Sequence, residues 1–142
     1  TLAAEHFKYK TEVQLNVTEA EIQIVKNIGS GSFGQVYLAT WNGSKIALKS
    51  LQNCSDSEYA SIQQEIELMR SLRHPNILNM FGSMQIHSTK YIALEYCAKG
   101  SLHDSYSSMD FPQMLNCLLQ IASGMVFMHK INICHRDLKP QK

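Results

Sequence analysis

Apolar residues alternate with polar ones in three short stretches near the start of the chain, which is the pattern of strands with one buried face. Residues 21–28, 35–40 and 45–51 follow this pattern. Three glycines separate the first two stretches, and Asn42-Gly43 between the second and third is a strong hairpin signal. These stretches therefore predict a three-stranded antiparallel meander.

The spacing of apolar residues changes to three and four positions over residues 57–73, which is typical of an amphipathic helix. Pro75 is expected to end this helix, because proline disfavours helical geometry in the residue before it. Residues 77–81 and 91–96 predict two more strands, and residues 112–130 predict a second amphipathic helix. A strand-rich half precedes a helical half, so the predicted fold class is α+β.

Composition and charge argue against several classes of function. The 142 residues carry 13 Lys and Arg against 12 Asp and Glu, a net charge of +1, which gives no electrostatic drive toward nucleic acid. A membrane span takes roughly 20 apolar residues, and we expect no stretch of this sequence to come close to that. The four cysteines contain no C-x-x-C motif, so they are interpreted as reduced thiols rather than metal ligands. Because residues 1–10 show no secretory signal, we expect a cytoplasmic protein.

Gly29, Gly31 and Gly34 fit the pattern G-x-G-x-x-G, which is a weak signal alone because glycines also serve turns that bind nothing. A dinucleotide-binding motif continues into a helix, and a P-loop contains Gly-Lys-Ser/Thr, whereas residues 35–40 continue here as a strand. The remaining interpretation is a two-stranded flap whose backbone N–H groups approach phosphate oxygens. Val36 would then cover a flat apolar ring.

Lys49 lies in the third predicted strand and, taken alone, is an ordinary exposed strand lysine. Glu65 comes three residues after Ile62 and four before Met69, which predicts a carboxylate on the apolar face of the helix. Burial of a carboxylate without a partner costs several kcal/mol, so Glu65 is expected to pair with a cation. Lys49 is the expected cation, and Glu58 on the same stripe is the rival partner for it.

Near the end of the chain, Asp137 precedes Lys139 by two residues. A carboxylate can orient an attacking hydroxyl and accept its proton, while a neighbouring lysine offsets charge on a transferring phosphoryl group. Taken alone, this segment is only a charged loop. In combination with the glycine flap, the strand lysine and the helix glutamate that precede it, the segment becomes a candidate for this chemistry.

In this order, the four features resemble the signature of the protein kinase family, with His135-Arg136-Asp137 as the catalytic loop. The resemblance covers residues 28–139 and implies a two-lobed kinase fold. Residues 21–97 would form the small lobe and hinge, and residues 98–142 the start of the helical large lobe. Residues 1–20 are expected to form a leader or linker.

The resemblance also implies a site and an activity. The chain would belong to a kinase that transfers the γ-phosphoryl group of ATP to a Ser or Thr hydroxyl of a protein substrate, with Mg²⁺ as the metal cofactor. Asp137 would orient that hydroxyl, Lys139 would steady the γ-phosphoryl group, and Lys49, held by Glu65, would grip the α- and β-phosphates. The residues expected to contact ATP are Ile28, Gly29, Gly31, Gly34, Val36, Ala47, Lys49, Leu94, Glu95 and Cys97.

Two comparisons within the family refine this expectation. Lys139 after Asp137-Leu138 resembles the serine/threonine pattern rather than that of tyrosine kinases. The run that begins at Ile28, together with Trp41 and Tyr96, is similar to the Raf and mixed-lineage members of the tyrosine-kinase-like group.

The sequence also departs from the family. Lys142 stands where the family has an asparagine that binds the second Mg²⁺, and the chain contains no Asp-Phe-Gly. The metal ligands are therefore expected outside the chain or lost at Lys142. Because no later element covers the apolar stripe from Met114 to Val126, we expect an incomplete catalytic domain. A pseudokinase or scaffold that binds nucleotide or a partner without catalysis is the first alternative. A plain interaction module, with Lys49 and Glu65 directed away from any cleft, is the second.

Overall fold

The computed structural model describes residues 21–31, 34–52 and 54–141. Within them, five strands form one antiparallel sheet in the order β1-β2-β3-β5-β4. The α+β class predicted from the sequence is confirmed. The strands are β1 (Ile22–Gly31), β2 (Gly34–Trp41), β3 (Ser44–Ser50), β4 (Met80–Ile86) and β5 (Thr89–Glu95), and the helices are α1 (Asp56–Ser71), α2 (Leu102–Ser105) and α3 (Phe111–Lys130).

Side chains cover the two faces of the sheet differently, because successive residues of a strand point to opposite faces. On one face, buried residues of four strands form a cluster that is bordered by Tyr37, Trp41 and Phe81. On the other face, Ile92 of β5 packs with Leu51 and with two isoleucines of α1. The first cluster consists of Ala39, Ile46, Leu48, Met84, Tyr91 and Ala93.

Helix α1 begins with a capping box and ends slightly earlier than predicted. The Ser55 hydroxyl accepts from the N–H of Glu58, and the Glu58 carboxylate accepts from the N–H of Ser55. The helix ends at Ser71 rather than at residue 73, because Leu72 adopts an extended conformation and is buried. Pro75 is therefore not the residue that stops the helix.

Strand β4 is displaced from its prediction. The sequence predicts a strand over residues 77–81, whereas Ile77 closes a turn by donating its N–H to the carbonyl of His74, and the strand runs from Met80 to Ile86. Gly82 has a φ of 144° and lies in an irregular part of the β4–β5 register. Buried Ser83 also interrupts the apolar pattern, and this is why periodicity alone misplaced the strand.

Helix α3 joins the helical half to the loop after α1. The ring of His74 stacks on Phe127 with centroids 5.0 Å apart, and a Cβ on Gly124 would lie 2.9 Å from the carbonyl oxygen of Asn76. With 20 residues, α3 is long and apolar enough to cross a membrane by length and composition. The expectation that no stretch approaches a span is wrong by that criterion, although core helices of soluble proteins pass the same test.

Candidate active site

The glycine segment forms the hairpin of β1 and β2, with Gly29 opposite Val36 and Gly31 opposite Gly34. The Asn27 side chain holds its base, because Nδ2 donates to Gln35 Oε1 (2.6 Å) and Oδ1 accepts from the N–H of Gly29 (3.0 Å). A Cβ on Gly29 would meet no heavy atom within 4 Å. Residues 32 and 33, within the predicted flap, lie outside the described part of the chain.

Packing requires a glycine at position 34. Its φ is 149°, and an added Cβ would lie 2.8 Å from the carbonyl oxygen of Ser50. Ser50 is fully buried, and its hydroxyl accepts from the N–H of Gln35 (2.9 Å). The flap is thus fixed to the strand that carries Lys49. Ser50 was missed in the sequence, where a serine after a lysine gives no signal.

The strand register places the predicted nucleotide-contacting side chains of the sheet on one face. Val36 lies opposite Lys49 in the β2–β3 pair, and Ala47 lies opposite Leu94 in the β3–β5 pair. Directly opposed residues point to the same face, and so do residues two apart in one strand. Ala47 is buried, and Val36, Lys49 and Leu94 are half-buried. This partly open apolar surface beside an ammonium group fits a flat ring that carries phosphates.

Glu65 does not occupy the position that the sequence predicts. It is exposed, so the prediction of a buried carboxylate is wrong. The buried face of α1 passes through Ile62 and Ile66, and Glu65 lies about 100° around the helix from Ile66. Among the ion pairs between described side chains, none joins Glu65 to Lys49. Its role as the partner of Lys49 therefore stays a prediction.

Glu58, the rival partner, caps the start of α1. Its carboxylate accepts from both the hydroxyl (2.6 Å) and the N–H (2.8 Å) of Ser55. These two hydrogen bonds lower the pKa of Glu58, the bond from the hydroxyl having the larger effect. The three-residue spacing of Ser55 and Glu58 is the sequence signal for this capping box. The cap accounts for the position of the Glu58 carboxylate without a contact to Lys49.

The segment from Leu94 to Cys97 connects the sheet to the helical half. The N–H of Glu95 donates to the carbonyl of Asn79 (2.9 Å), and the carbonyl of Cys97 accepts from the N–H of Gly100 (3.1 Å). Desolvation, followed by the charge of Glu95, raises the pKa of the Cys97 thiol, so this cysteine stays protonated at neutral pH. Asn79, four residues after Pro75, was not identified from the sequence as part of this region.

Asp137 and Lys139 lie together, as the sequence predicts. Lys139 Nζ is 3.2 Å from Asp137 Oδ1, and each side chain is 49% exposed. The N–H of Asp137 donates to Nδ1 of His135 (3.2 Å), and Arg136 between them has a φ of 63°. This strained turn presents a carboxylate and an ammonium group on an exposed loop. Such a pair can orient a hydroxyl and offset the charge of a phosphoryl group.

Within the described residues, no group of three or more His, Cys, Asp or Glu side chains could hold a metal ion. Lys142, which stands at the position expected for a metal ligand, lies outside the described residues.

Comparison with known proteins identifies the family. Residues 22–142 match the protein kinase domain family, to which this chain therefore belongs. Its architecture is that of the kinase small lobe with part of the large lobe.

Three kinases of Dictyostelium discoideum are similar to this chain. The probable serine/threonine-protein kinase drkA is 36% identical over 127 residues, which cover 84% of this chain and 20% of that protein. The probable serine/threonine-protein kinase drkB is 35% identical over 132 residues, which cover 87% and 19%. The probable serine/threonine-protein kinase gdt2 is 35% identical over 131 residues, which cover 89% and 8%. The chain thus spans a fifth or less of the length of these relatives.

Proposed function

We propose that the protein carrying this chain is an ATP-dependent serine/threonine kinase that phosphorylates hydroxyl groups of protein substrates. Family membership and the names of three relatives support the reaction class. The single structural observation that carries the proposal is the register of β2, β3 and β5. It puts Val36, Ala47, Lys49 and Leu94 on one face of the sheet, next to the glycine hairpin of β1 and β2.

In this proposal the sheet binds the nucleotide. Ile28, Val36, Ala47 and Leu94 enclose the adenine ring, whose edge meets the backbone of Glu95 and Cys97. The glycines of the hairpin let backbone N–H groups approach phosphate oxygens, and Lys49 offsets the charge of the α- and β-phosphates. Half-burial of Lys49 strengthens this attraction, because the local dielectric constant is lower than in bulk water.

The loop of residues 135–139 acts on the substrate. Asp137 accepts a hydrogen bond from the attacking hydroxyl and takes its proton, and Lys139 offsets charge on the γ-phosphoryl group. The 3.2 Å contact between the two side chains supports this division of roles, because it puts the ammonium group next to the carboxylate that orients the hydroxyl. Mg²⁺ supplies charge neutralisation at the phosphates, through ligands that we place outside the described residues.

Lys139 also supports serine and threonine, rather than tyrosine, as the residues that accept the phosphoryl group. We further propose membership of the tyrosine-kinase-like group, from the sequence between Ile28 and Val36 and from Trp41 and Tyr96. A cytoplasmic location is also proposed, because the four cysteines are free thiols.

For Glu65 to hold Lys49, its flank of α1 must turn toward the sheet. The described arrangement, in which Glu65 is exposed and forms no ion pair with Lys49, would then be a state in which the site is not assembled. The same observation, with Lys142 at the expected asparagine position, favours the second candidate function. This is a pseudokinase that binds nucleotide or a partner without catalysis.

The experiment is replacement of Lys49 by Met in the complete protein, with Lys45→Met on the same strand as the matched control. Lys45 is exposed at the start of β3. We expect Lys49→Met to abolish phosphoryl transfer to a protein substrate while Lys45→Met retains it. Undiminished activity of Lys49→Met would reject the assigned roles, and an unsubstituted protein that binds ATP without transfer would favour the pseudokinase.

A further inference from the structure

An unusual exchange of hydrogen bonds holds the main chain of Glu95. Its N–H donates to the carbonyl of Asn79 (2.9 Å). In return, the N–H of Asn79 donates to the Glu95 side-chain atom Oε2 (3.2 Å) rather than to the Glu95 carbonyl. In an ordinary hydrogen-bonded antiparallel pair, two residues exchange both main-chain bonds. Here the carboxylate of Glu95 takes the place of its own carbonyl.

The neighbouring strand does not use the Glu95 carbonyl either. The N–H of Leu51 donates to the carbonyl of Lys90, which makes these two residues a hydrogen-bonded pair. Ile46 and Glu95 belong to the same register, five positions further along. Hydrogen-bonded and non-hydrogen-bonded pairs alternate, so Ile46 and Glu95 form a non-hydrogen-bonded pair. Neither flanking element in this part of the chain therefore takes the Glu95 carbonyl as its acceptor.

The side chain of Asn79 fixes the carboxylate in this position. Its Nδ2 donates to the same Oε2 of Glu95 (3.0 Å), which is the second N–H that this oxygen accepts from Asn79. Arg73 Nη1 donates to Oδ1 of Asn79 (3.3 Å). Because the guanidinium group has donors only, it requires the amide oxygen on its own side and turns the NH₂ group toward Glu95.

We infer that Asn79 is a positioning residue for the hinge, and that its amide, oriented by Arg73, keeps the main-chain carbonyl of Glu95 available to a donor on the edge of the bound base. This role rests on the proposed nucleotide site. Asn79 touches neither nucleotide nor substrate in this scheme and acts only through Glu95. The sequence signature of the family, as matched here, does not include it.

The test replaces Asn79 by Asp in the complete protein. This change conserves shape and the acceptor for Arg73, but it removes the Nδ2 donor and places a second carboxylate beside Glu95. We expect about tenfold weaker binding of adenosine, a probe without phosphates, because a charge-assisted hydrogen bond is lost. Amide hydrogen exchange in the peptide that contains Glu95 should accelerate by a similar factor. Gln85→Ala, which removes an exposed amide in β4, the strand that follows Asn79, should change neither quantity.

A second variant makes the test specific. Adding Glu95→Gln to Asn79→Asp reverses donor and acceptor, because the new amide can donate to the new carboxylate and its oxygen can still accept the main-chain N–H of residue 79. Recovery of both adenosine affinity and exchange protection in the double variant is the expected result. A merely structural role of Asn79 predicts no such recovery.

The remaining outcomes overturn the inference in distinguishable ways. Faster exchange with unchanged adenosine affinity would show that Asn79 holds Glu95 but does not position the hinge for the base. Unchanged exchange in Asn79→Asp would show that the amide does not hold Glu95 at all. If the unsubstituted protein fails to bind adenosine, the proposed nucleotide site fails and the positioning role fails with it. The exchange data still report whether Asn79 restrains Glu95.

Discussion

The strand-rich and helical halves of the chain differ in how they bury their apolar side chains. In the first half, Ala39, Leu48 and Ala93 are completely buried in the sheet, and Ile66 of α1 is 1% exposed. In the second half, α3 buries only Gly124 and Met128. Its exposed residues include Phe111 (79%) and Leu119 (61%).

This contrast shows where stability resides. The sheet and α1 enclose a core of their own, whereas α3 presents an apolar stripe that its contacts in the described chain do not cover. The candidate nucleotide face belongs to the first half, and the Asp137–Lys139 pair belongs to the second. One part of the site therefore lies in the well-packed half, and the other part lies in the half whose apolar side chains stay exposed.

The largest expected difference is between two leucines. In the 142-residue chain, Leu48→Ala removes a fully buried side chain and should lower the free energy of unfolding by about 2–5 kcal/mol. Leu119→Ala, on the exposed stripe, should change it by less than about 0.5 kcal/mol. Denaturant titration followed by circular dichroism measures both. Equal effects would show that α3 is buried in solution and would remove the contrast.

A smaller effect is expected where the two halves meet. Gly124→Ala places a Cβ about 2.9 Å from the carbonyl oxygen of Asn76, a contact that requires the loop or the helix to shift. The clash should cost about 1–3 kcal/mol, partly offset by the better helix propensity of alanine. Gln120→Ala, exposed on the same helix, is the matched control and should be neutral or slightly stabilising. Nuclear magnetic resonance shifts confined to α3 and residues 74–77 would localise the effect. A Gly124→Ala variant as stable as its control would argue against the contact.

Removal of the N-terminal cap is expected to cost a similar free energy in α1 and in α3. Ser55→Ala removes the capping box of α1 and should cost about 1 kcal/mol, and Asp110→Ala does the same at the start of α3. Because α1 belongs to the folded core, the first loss should appear fully in global unfolding. The second should appear mainly as fraying of α3, measured by amide exchange at Gln113 and Met114, whose N–H groups donate to Asp110. Similar global losses for both variants would indicate that the halves unfold as one unit.

The smallest expected effect is on pH dependence, with one group in each half. Hydrogen bonds from Ser55 lower the pKa of Glu58, and hydrogen bonds from Ser101 lower the pKa of Asp104. A lowered folded-state pKa adds stability above the unfolded value, and this stability is lost as the pH falls through the folded value. Both contributions should therefore begin to fall near about pH 4, close to the unfolded values for Glu and Asp, and be lost below the lower folded-state values. Titration of the two carboxyl carbons by nuclear magnetic resonance checks the direction. An upward shift of either midpoint would contradict the capping geometry.

Local pattern predicted much of the fold. Alternation and the Asn42-Gly43 turn gave the meander of β1, β2 and β3, because a strand with one buried face imposes that period. Period three to four gave α1 and α3 to within about two residues. Strand β4 was misplaced because Gly82 and buried Ser83 break its apolar pattern, and the sheet order β3-β5-β4 depends on long-range pairing that no local pattern reports.

The candidate site was predicted less evenly. Asp137 and Lys139 are close in sequence, so their contact follows from local geometry. Lys49 was placed correctly on the face with Ala47, since residues two apart in a strand share a face. Glu65 was predicted to be buried because Ile62 and Met69 were taken as the centre of the buried face, but that centre lies nearer Ile66. Asn79 was missed because its hydrogen bonds join residues that lie sixteen positions apart.

The central claim is that Lys49 lies beside the phosphates of a nucleotide bound on the sheet face that carries Val36, Ala47 and Leu94. An ATP derivative with an acyl group on its terminal phosphate tests it directly, since it acylates a lysine amine held next to the bound phosphates. Peptide mass spectrometry of the complete protein should find Lys49 labelled in strong preference to exposed Lys45, and excess ATP should suppress that labelling. Equal labelling of both lysines, or labelling that ATP does not suppress, would contradict the claim.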